Sequence, residues 1–159
     1  MGRPISGEYR IARRLLTGAL DPTGLQLPFE LDGSRVFTVV DTRQLQTGTS
    51  RVVAAGPLAS ISDDLAHATV AALCKRIGVT REARLRFLKP LYVKDSLRAD
   101  GTMLRENNGL FTVSCRILDA DERLCLEGEV EIFALQSEQV RRMTPDGMLP
   151  LELRRFFPV

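Results

Sequence analysis

The segment ASISDDLAHATVAALCKRIG, residues 59–78, carries apolar residues around most of a helical circumference. At about 100° per residue, its polar or small side chains fall on one narrow stripe. That stripe consists of Asp63, Asp64, His67, Ala71 and Lys75. A helix that is apolar on most of its surface must be surrounded by other elements, and a sheet wrapped around it meets that need.

Capping residues predict where this helix begins and ends. We expect Ser60 or Ser62 to cap the N-terminus, because serine oxygens accept hydrogen bonds from the first N–H groups of a helix. Acidic residues near the start and basic residues near the end suit the helix dipole. Gly78 is expected to end the helix.

Four segments after the helix alternate apolar and polar residues with the period of two that is typical of β-strands. They are ARLRFLK, SLRADGTMLR, LFTVSCRIL and LCLEGEVEIFAL, and turn-forming residues separate them. Earlier in the chain, Asp32-Gly33 predicts a hairpin turn between Leu25–Leu31 and Arg35–Val40, and RVVAA (51–55) predicts a short strand. The alternation predicts an antiparallel sheet with one apolar face and one charged face, on which arginines lie across from glutamates.

The length of 159 residues is that of one domain with one core. Residues 8–18 have helical spacing, and residues 1–22 are predicted to form an N-terminal helix and lead-in. Residues 23–136 are predicted to form the domain of helix and sheet. Residues 137–159 contain two prolines before the terminal FFPV and are predicted to form a C-terminal arm with one short turn.

The composition argues against several function classes. A net charge of +2 is far below the basic excess of a general nucleic-acid binder. One histidine and three cysteines without a CxxC pair disfavour a zinc site, and the odd number of thiols disfavours a disulfide framework. No apolar run approaches the roughly 18 residues of a membrane span, and the N-terminus does not resemble a signal peptide. We therefore expect a cytoplasmic protein with reduced thiols that binds no metal, nucleic acid or membrane.

Residues 35–135 resemble the PaaI-type and hydroxybenzoyl-CoA-type thioesterases of the hotdog superfamily. In that family, a strand ending in aromatic-x-x-Pro is followed by Gly-Asp-x-Leu. Here these read Phe87-Leu88-Lys89-Pro90 and, without the glycine, Lys94-Asp95-Ser96-Leu97. The run Asp121–Gly128 fits the family's last hairpin, and HATVAALC resembles its central helix. The resemblance implies an α+β hotdog fold, in which an antiparallel sheet wraps around one long central helix.

The resemblance also implies an assembly and a ligand. Family members pair their exposed sheet edges in a homodimer with sites between the subunits. A homodimer is therefore the expected assembly, and a tetramer of such dimers is the alternative. The implied substrate is the thioester of acyl-CoA or of an acyl-carrier protein. No cofactor is expected apart from the CoA moiety of that substrate.

The family's usual catalytic pattern is absent where an alignment through Ala68-Thr69-Val70 places it. Family members carry His-Gly-Gly before the helix, whose N–H groups polarise the thioester carbonyl, and a carboxylate further along it. In this alignment the triplet falls on Leu58-Ala59-Ser60, and the carboxylate falls on His67. We therefore expect His67, Asp63 and Asp64 to be the catalytic candidates, because either acid lies within one helical turn of the imidazole.

Two other interpretations of His67 stay open. It could bind the carbonyl of an acyl-CoA without any chemistry. It could also be a structural residue on the helix rim, with Asp63 and Asp64 acting only as partners of the helix dipole.

The substrate-binding candidates form two groups. The N–H groups near Ser60, Ile61 and Ser62 are expected to face the thioester carbonyl. Basic side chains are expected to meet the phosphates of CoA at the mouth of the site, and the competing and simpler interpretation is that each is an ordinary solvated surface charge. These side chains are Arg84, Arg86, Lys89 and Lys94.

Three functions are therefore compared. The first is hydrolysis of an acyl thioester at a dimer interface. The second is binding of acyl-CoA without turnover, which the missing His-Gly-Gly favours. The third is an acyl-thioester dehydratase, a class that shares the fold and pairs a histidine with a carboxylate.

Overall fold

The structure, a computed structural model, describes residues 2–5, 27–45, 49–94 and 96–157. Within these ranges, seven strands form a single sheet. They are β1 (Arg3–Pro4), β2 (Glu30–Asp32), β3 (Arg35–Asp41), β4 (Gly78–Phe87), β5 (Ser96–Asn107), β6 (Leu110–Leu118) and β7 (Leu124–Ala134). The helices are α1 (Ala55–Cys74), α2 (Ser137–Met143) and two short 3₁₀ helices, Thr42–Leu45 and Leu151–Phe156. No helix in the described part of the chain is both long enough and apolar enough to cross a membrane.

The sheet order is β1-β2-β3-β5-β6-β7-β4, and every neighbouring pair is antiparallel. Helix α1 packs against β3, β4, β5, β6 and β7, so that the sheet surrounds it. Eleven of its residues are buried. This confirms the predicted α+β hotdog fold and the reason for it, which is that a helix apolar on most of its surface has to be enclosed.

One glycine allows α1 to lie close to the sheet. A Cβ atom on Gly101 of β5 would stand 2.5 Å from Thr69 Oγ1 and 3.0 Å from Leu65 Cγ, both on α1. Only a residue without a side chain fits between the two elements at this point. The packing distance of the central helix is therefore set partly by position 101.

The hairpin predicted at Asp32-Gly33 is confirmed. Asp32 pairs with Arg35, and Gly33 has a φ of +61°, a conformation that glycine adopts without strain. The first strand of this hairpin, β2, is shorter than the predicted Leu25–Leu31 and begins at Glu30. The helix predicted over residues 8–18 lies outside the described residues.

The predicted start of the central helix is wrong. The segment RVVAA does not form a strand, because Val52 makes only an isolated bridge with Tyr92 and α1 begins at Ala55. The Gly56-Pro57 pair therefore lies in the first turn of α1 instead of ending a strand. Proline is tolerated there, since its missing N–H would have no acceptor within the helix.

The predicted caps are wrong as well. The residue at the N-cap is Ala54, and the Ser62 hydroxyl donates to the Leu58 carbonyl at 3.0 Å within the helix. At the other end, Lys75 ends α1 in a left-handed conformation with φ of 53°. Gly78 is instead the first residue of β4, where its Cα lies against the Phe133 carbonyl.

The C-terminal segment contains α2 and a 3₁₀ helix, where the sequence predicts one short turn. Val140, Leu153 and Phe156 are buried and belong to the same hydrophobic core as α1. The segment is thus packed onto the helix and sheet through apolar side chains.

The charged outer face of the sheet is as predicted. Arg84 and Arg86 of β4 lie directly across from Glu129 and Glu127 of β7. Arg86 lies 3.4 Å from Glu127. Such exposed ion pairs contribute about 0–1 kcal/mol each to stability.

Strand β4 lies at one edge of the described sheet and is ten residues long. Most of its residues are exposed. A long exposed edge presents a row of backbone N–H and C=O groups that can pair with another strand. This edge is therefore a surface on which a second chain can add to the sheet.

Candidate active site

A cluster of three polar side chains joins α1 to the start of β4. Asp63 and His67 lie four residues apart on the same face of α1, and Thr80 of β4 lies against both. The Thr80 hydroxyl donates a hydrogen bond to Asp63 Oδ1. His67 Nε2 lies 2.9 Å from Thr80 Oγ1 and 3.7 Å from Asp63 Oδ1.

The direction of these hydrogen bonds fixes the role of His67. An ionised carboxylate only accepts hydrogen bonds, so the Thr80 proton points to Asp63. The Thr80 oxygen then accepts, and His67 Nε2 must carry the hydrogen that it donates. His67 is therefore a donor to Thr80 in this arrangement, and Nε2 is not available as a base.

Solvent access distinguishes the two residues. The side chain of Asp63 is 33% exposed, whereas that of His67 is 4% exposed. Thr80 is also exposed. A water molecule or substrate can thus reach the carboxylate of Asp63, while His67 lies behind it.

Asp64 follows Asp63 on α1 and is half-buried. Successive helical residues differ in direction by about 100°, so its side chain projects from a different part of the helix. The hydrogen bond to Thr80 is made by Asp63. Of the two predicted acids, the structure thus places Asp63 in the cluster.

Cys115 of β6 lies beneath the cluster and is fully buried. Its Sγ donates to the Ser62 carbonyl at 3.4 Å. Burial, together with the nearby negative charge of Asp63, raises the pKa of the Cys115 thiol to about 12. The thiol is therefore neutral at physiological pH and is not a nucleophile.

The N-terminus of α1 provides backbone donors. The first N–H groups of a helix have no acceptor within it, and here they belong to Ala54, Ala55 and Gly56, because Pro57 has none. Gly56 is exposed, and a Cβ atom built on it would meet no atom within 4 Å. These donors sit at the positive end of the helix dipole, where partial negative charge is stabilised.

The predicted carbonyl-binding residues lie further inside the helix. Ser60 is half-buried, while Ile61 and Ser62 are fully buried. Their N–H groups belong to the second turn of α1, where each bonds to a carbonyl four residues earlier. The structure therefore offers the N–H groups of Ala55 and Gly56 for the role predicted for these three.

A basic loop lies beside this helix end. Val53 N donates to the Leu91 carbonyl at 2.8 Å, which brings the loop after β4 next to the start of α1. Lys89 and Lys94, two of the predicted phosphate ligands, line a cavity of about 330 Å³ in this loop. Asp119 and Arg123 also line this cavity and form an ion pair at 2.9 Å.

The other two predicted phosphate ligands lie elsewhere. Arg84 and Arg86 project from the outer face of the sheet, opposite α1. Arg84 lies 3.3 Å from Glu82, and Arg86 is paired with Glu127. The structure does not bring them beside Asp63 or His67.

Thr80 is the site residue that sequence reasoning missed. Counting back by twos from Ala83, Leu85 and Phe87 places Arg81, not Thr80, on the face toward α1. A register shift between Thr80 and Glu82 inserts one extra residue and turns Thr80 to the helix side. In the described part of the chain, no group of histidine, cysteine, aspartate and glutamate is arranged to hold a metal ion.

Residues 51–126 match the family model of the thioesterase superfamily. No functionally curated protein matches the sequence. One similar solved structure is that of a hypothetical thioesterase from Streptococcus pneumoniae with coenzyme A. It is 17% identical to this chain with a TM-score of 0.60, and the match covers 64% of this chain and 78% of that one. Two further structures of that protein carry a single alanine substitution, one at an aspartate and one at a threonine.

Two other solved structures share the fold over most of their length. A Streptococcus mutans protein bound to acetyl-CoA is 13% identical with a TM-score of 0.62, over 70% of this chain and 91% of that one. Zebrafish thioesterase superfamily member 2 is 12% identical with a TM-score of 0.64, over 79% of this chain and 94% of that one. At these identities the similarity establishes the fold.

Proposed function

Because the chain belongs to the hotdog-fold thioesterase superfamily, we propose that it hydrolyses an acyl thioester with Asp63 as the general base. The observation that carries this proposal is the chain of hydrogen bonds from His67 through Thr80 to Asp63. It holds a partly exposed carboxylate in a fixed orientation next to a buried imidazole. Acyl-CoA is the substrate class that we propose, with acyl-carrier protein as the other source of the same thioester.

The chemistry needs two groups on opposite sides of the thioester carbonyl. The N–H groups of Ala55 and Gly56 bind the carbonyl oxygen and stabilise the negative charge that develops on it. Asp63 takes a proton from a water molecule, and the water oxygen attacks the carbonyl carbon. The C–S bond breaks, the carboxylic acid is formed, and the leaving thiolate receives the proton held by Asp63.

Thr80 and His67 act as positioning residues in this scheme. Thr80 orients the carboxylate by donating to it, and His67 orients Thr80 by donating to the hydroxyl oxygen. Catalytic groups must be held close to their productive geometry, and a misplacement of about 1 Å can cost roughly 10²-fold in rate.

The site requires two subunits. Gly56 and Asp63 are seven residues apart on α1, which is about 10 Å along the helix axis. A thioester carbonyl bound at the N-terminus of α1 is therefore too far from Asp63 of the same chain for a single water molecule to join them. We propose that two chains pair along the exposed edge of β4, so that the α1 N-terminus of one faces Asp63 of the other.

The CoA phosphates are proposed to lie at Lys89 and Lys94. Their loop is hydrogen-bonded to the residue that precedes the N-cap of α1, so a ligand bound at the helix end passes next to it. Arg84 and Arg86 are less suited to this role, because they lie on the opposite face of the sheet, close to glutamates.

The proposal is tested by assaying the purified protein against short-, medium- and long-chain acyl-CoA esters. Asp63→Asn keeps the shape of the side chain but removes the base, and should lower kcat by about 10²–10⁴-fold. Asp64→Asn is the matched control and should leave kcat within about threefold of the unsubstituted protein. Hydrolysis of no ester, or equal activity of Asp63→Asn and the unsubstituted protein, would disprove the assignment.

A second function is favoured by one specific observation. The residues around the helix start are Ala54, Ala55, Gly56 and Pro57, so no histidine precedes the glycine. A protein that holds acyl-CoA without turnover needs only the helix end and the basic loop. Calorimetric titration with a non-hydrolysable thioether analogue of acyl-CoA measures binding separately from turnover. Tight binding without hydrolysis of the matching ester would establish this second function.

A further inference from the structure

A cavity of about 630 Å³ lies between the end of α1, helix α2 and the C-terminal 3₁₀ helix. Three arginines line it, each from a different segment. Arg76 follows α1, Arg141 belongs to α2, and Arg154 belongs to the 3₁₀ helix Leu151–Phe156. We call this cavity the arginine pocket.

The positive charge of the arginine pocket is not balanced by any of the described residues that line it. None of these residues is an aspartate or a glutamate. Within the described part of the chain, the side chains of Arg76, Arg141 and Arg154 make neither an ion pair nor a hydrogen bond. By contrast, Arg142, the neighbour of Arg141, lies 3.6 Å from Glu138.

One of the three donors is also buried without an acceptor. The Nε atom of Arg76 is inaccessible to solvent and has no hydrogen-bond partner among the described residues. Burying a charged donor without an acceptor costs free energy. Three guanidinium groups around one cavity also repel each other, so a bound anion would remove both penalties.

The chemistry of the pocket favours a phosphate group. Guanidinium groups form paired, charge-assisted hydrogen bonds with phosphate oxygens, and three of them match a dianion better than a single carboxylate. Met148, Leu149 and Phe157 form an apolar wall next to the arginines. A volume of about 630 Å³ falls within the range typical of small-molecule sites.

We propose that the arginine pocket binds the phosphate group of a small phosphate ester, whose organic part lies against Met148, Leu149 and Phe157. The pocket is separate from the candidate active site in the same chain. Cys74, the last residue of α1, is eleven residues beyond Asp63, which is about 16 Å along the helix axis. Arg141 and Arg154 also lie outside residues 51–126, the part that matches the thioesterase superfamily.

A bound phosphate would connect three segments whose neighbouring residues Ile77, Val140 and Leu153 belong to one hydrophobic core. It would therefore stabilise the packing of the C-terminal segment onto the end of α1, and the midpoint of thermal unfolding should rise with ligand concentration. This readout does not depend on any enzymatic activity.

The test is calorimetric and thermal titration of the full chain at low salt with two probes, inorganic phosphate and adenosine diphosphate. We expect binding of at least one probe, and binding at least tenfold weaker in the double variant Arg141→Gln, Arg154→Gln. Arg142→Gln is the matched control and should bind as the unsubstituted protein does. Tighter binding of adenosine diphosphate than of inorganic phosphate supports an ester as the ligand, and equal binding of the two probes would contradict the role proposed for the apolar wall.

Three further results would overturn the proposal. They are no binding of either probe at millimolar concentration, unchanged binding in the double variant, and equally tight binding of succinate. Arg141 and Arg154 are exposed, so their replacement should not prevent folding. Thermal unfolding of the double variant, measured without ligand, checks that it is folded. Asp63→Asn should bind both probes normally, which separates a failure here from a failure of the proposed hydrolysis.

Discussion

Thr80 donates a hydrogen bond to Asp63, which lies seventeen residues earlier in the chain. This bond joins the first residues of the edge strand β4 to the partly exposed carboxylate of Asp63 on α1. The same hydroxyl accepts a hydrogen bond from His67, so Thr80 connects the imidazole of His67 to the carboxylate of Asp63. The edge at which we expect a second subunit to bind is therefore also part of the candidate site.

Replacing Thr80 by valine should reduce kcat by about 10²-fold and leave KM nearly unchanged. Valine has the shape of threonine but can neither donate to Asp63 nor accept from His67. Thr80→Ser keeps the hydroxyl and should recover most of the activity. Steady-state kinetics on the best acyl-CoA ester measures both variants. If Thr80→Ser is as inactive as Thr80→Val, the hydroxyl is not the reason for the loss.

Two inactive variants should complement each other if the site is shared. Asp63→Asn lacks the base, and Gly56→Pro lacks an N–H at the helix start while keeping a residue that the first turn tolerates. In a heterodimer, one of the two sites then contains an intact helix end and an intact Asp63. Random mixing should restore about a quarter of the unsubstituted activity.

Light scattering of the same samples reports the assembly, and a dimer should have twice the chain mass of 17.7 kDa. Circular dichroism verifies that Gly56→Pro is folded. A mixture that stays inactive although heterodimers have formed would place both groups in one subunit and contradict the two-subunit site.

The basic loop should contribute to substrate binding and not to the chemical step. The double variant Lys89→Gln, Lys94→Gln should raise KM for acyl-CoA by about tenfold at low salt, where the attraction between the two exposed lysines and the proposed CoA phosphates is least screened. The matched double variant Arg84→Gln, Arg86→Gln removes equal charge from the opposite face. Equal increases in KM for the two double variants would show that only the overall charge matters.

The alternation of residues in β5, β6 and β7 was sufficient to predict the sheet. Apolar residues recur at every second position over most of each strand and pack against α1. The other face is not uniformly exposed, because Thr112 and Glu131 on it are buried. The start of α1 was not predictable in the same way. Gly56-Pro57 is compatible both with the end of a strand and with the first turn of a helix, and only the packing of Leu58 into the core favours the helix.

The candidate site was predictable in part. Asp63 and His67 share a helix face because they are four residues apart, and this spacing is visible in the sequence. Thr80 was not predictable, since the irregularity between Thr80 and Glu82 depends on how β4 pairs with β7. The arginine pocket depends on the folded C-terminal segment, which shows no periodicity that would place Arg154 beside Arg76.

Gly101 should be intolerant of substitution. A methyl group there would collide with Thr69, whose hydroxyl is held by the Leu65 carbonyl at 2.7 Å, and α1 would have to shift. Gly101→Ala should lower the free energy of unfolding by about 1–3 kcal/mol. Gly56→Ala, where a methyl group meets no neighbour, should change it by less than about 1 kcal/mol. Urea denaturation compares the two, and equal effects would exclude a close approach of β5 to α1.

The buried thiol of Cys115 should make stability fall at alkaline pH. Its pKa is about 12 in the folded protein and 9.0 for an ordinary thiol. Between these values the unfolded chain loses a proton that the folded chain keeps, so the free energy of unfolding decreases as pH rises. The loss is absent below pH 9 and approaches about 1.4 kcal/mol per pH unit above it.

Comparison with Cys115→Ala isolates this contribution, because every other titrating group is common to the two proteins. Urea denaturation from pH 8 to pH 10.5 should give a difference in unfolding free energy that is constant up to about pH 9 and then shrinks as the unsubstituted protein loses stability faster. Profiles that stay parallel over the whole range would show that the thiol ionises as readily in the folded protein as in the unfolded chain. Cys115 would then not be sealed beneath Asp63 and Ser62, and the floor of the candidate site would be open to solvent.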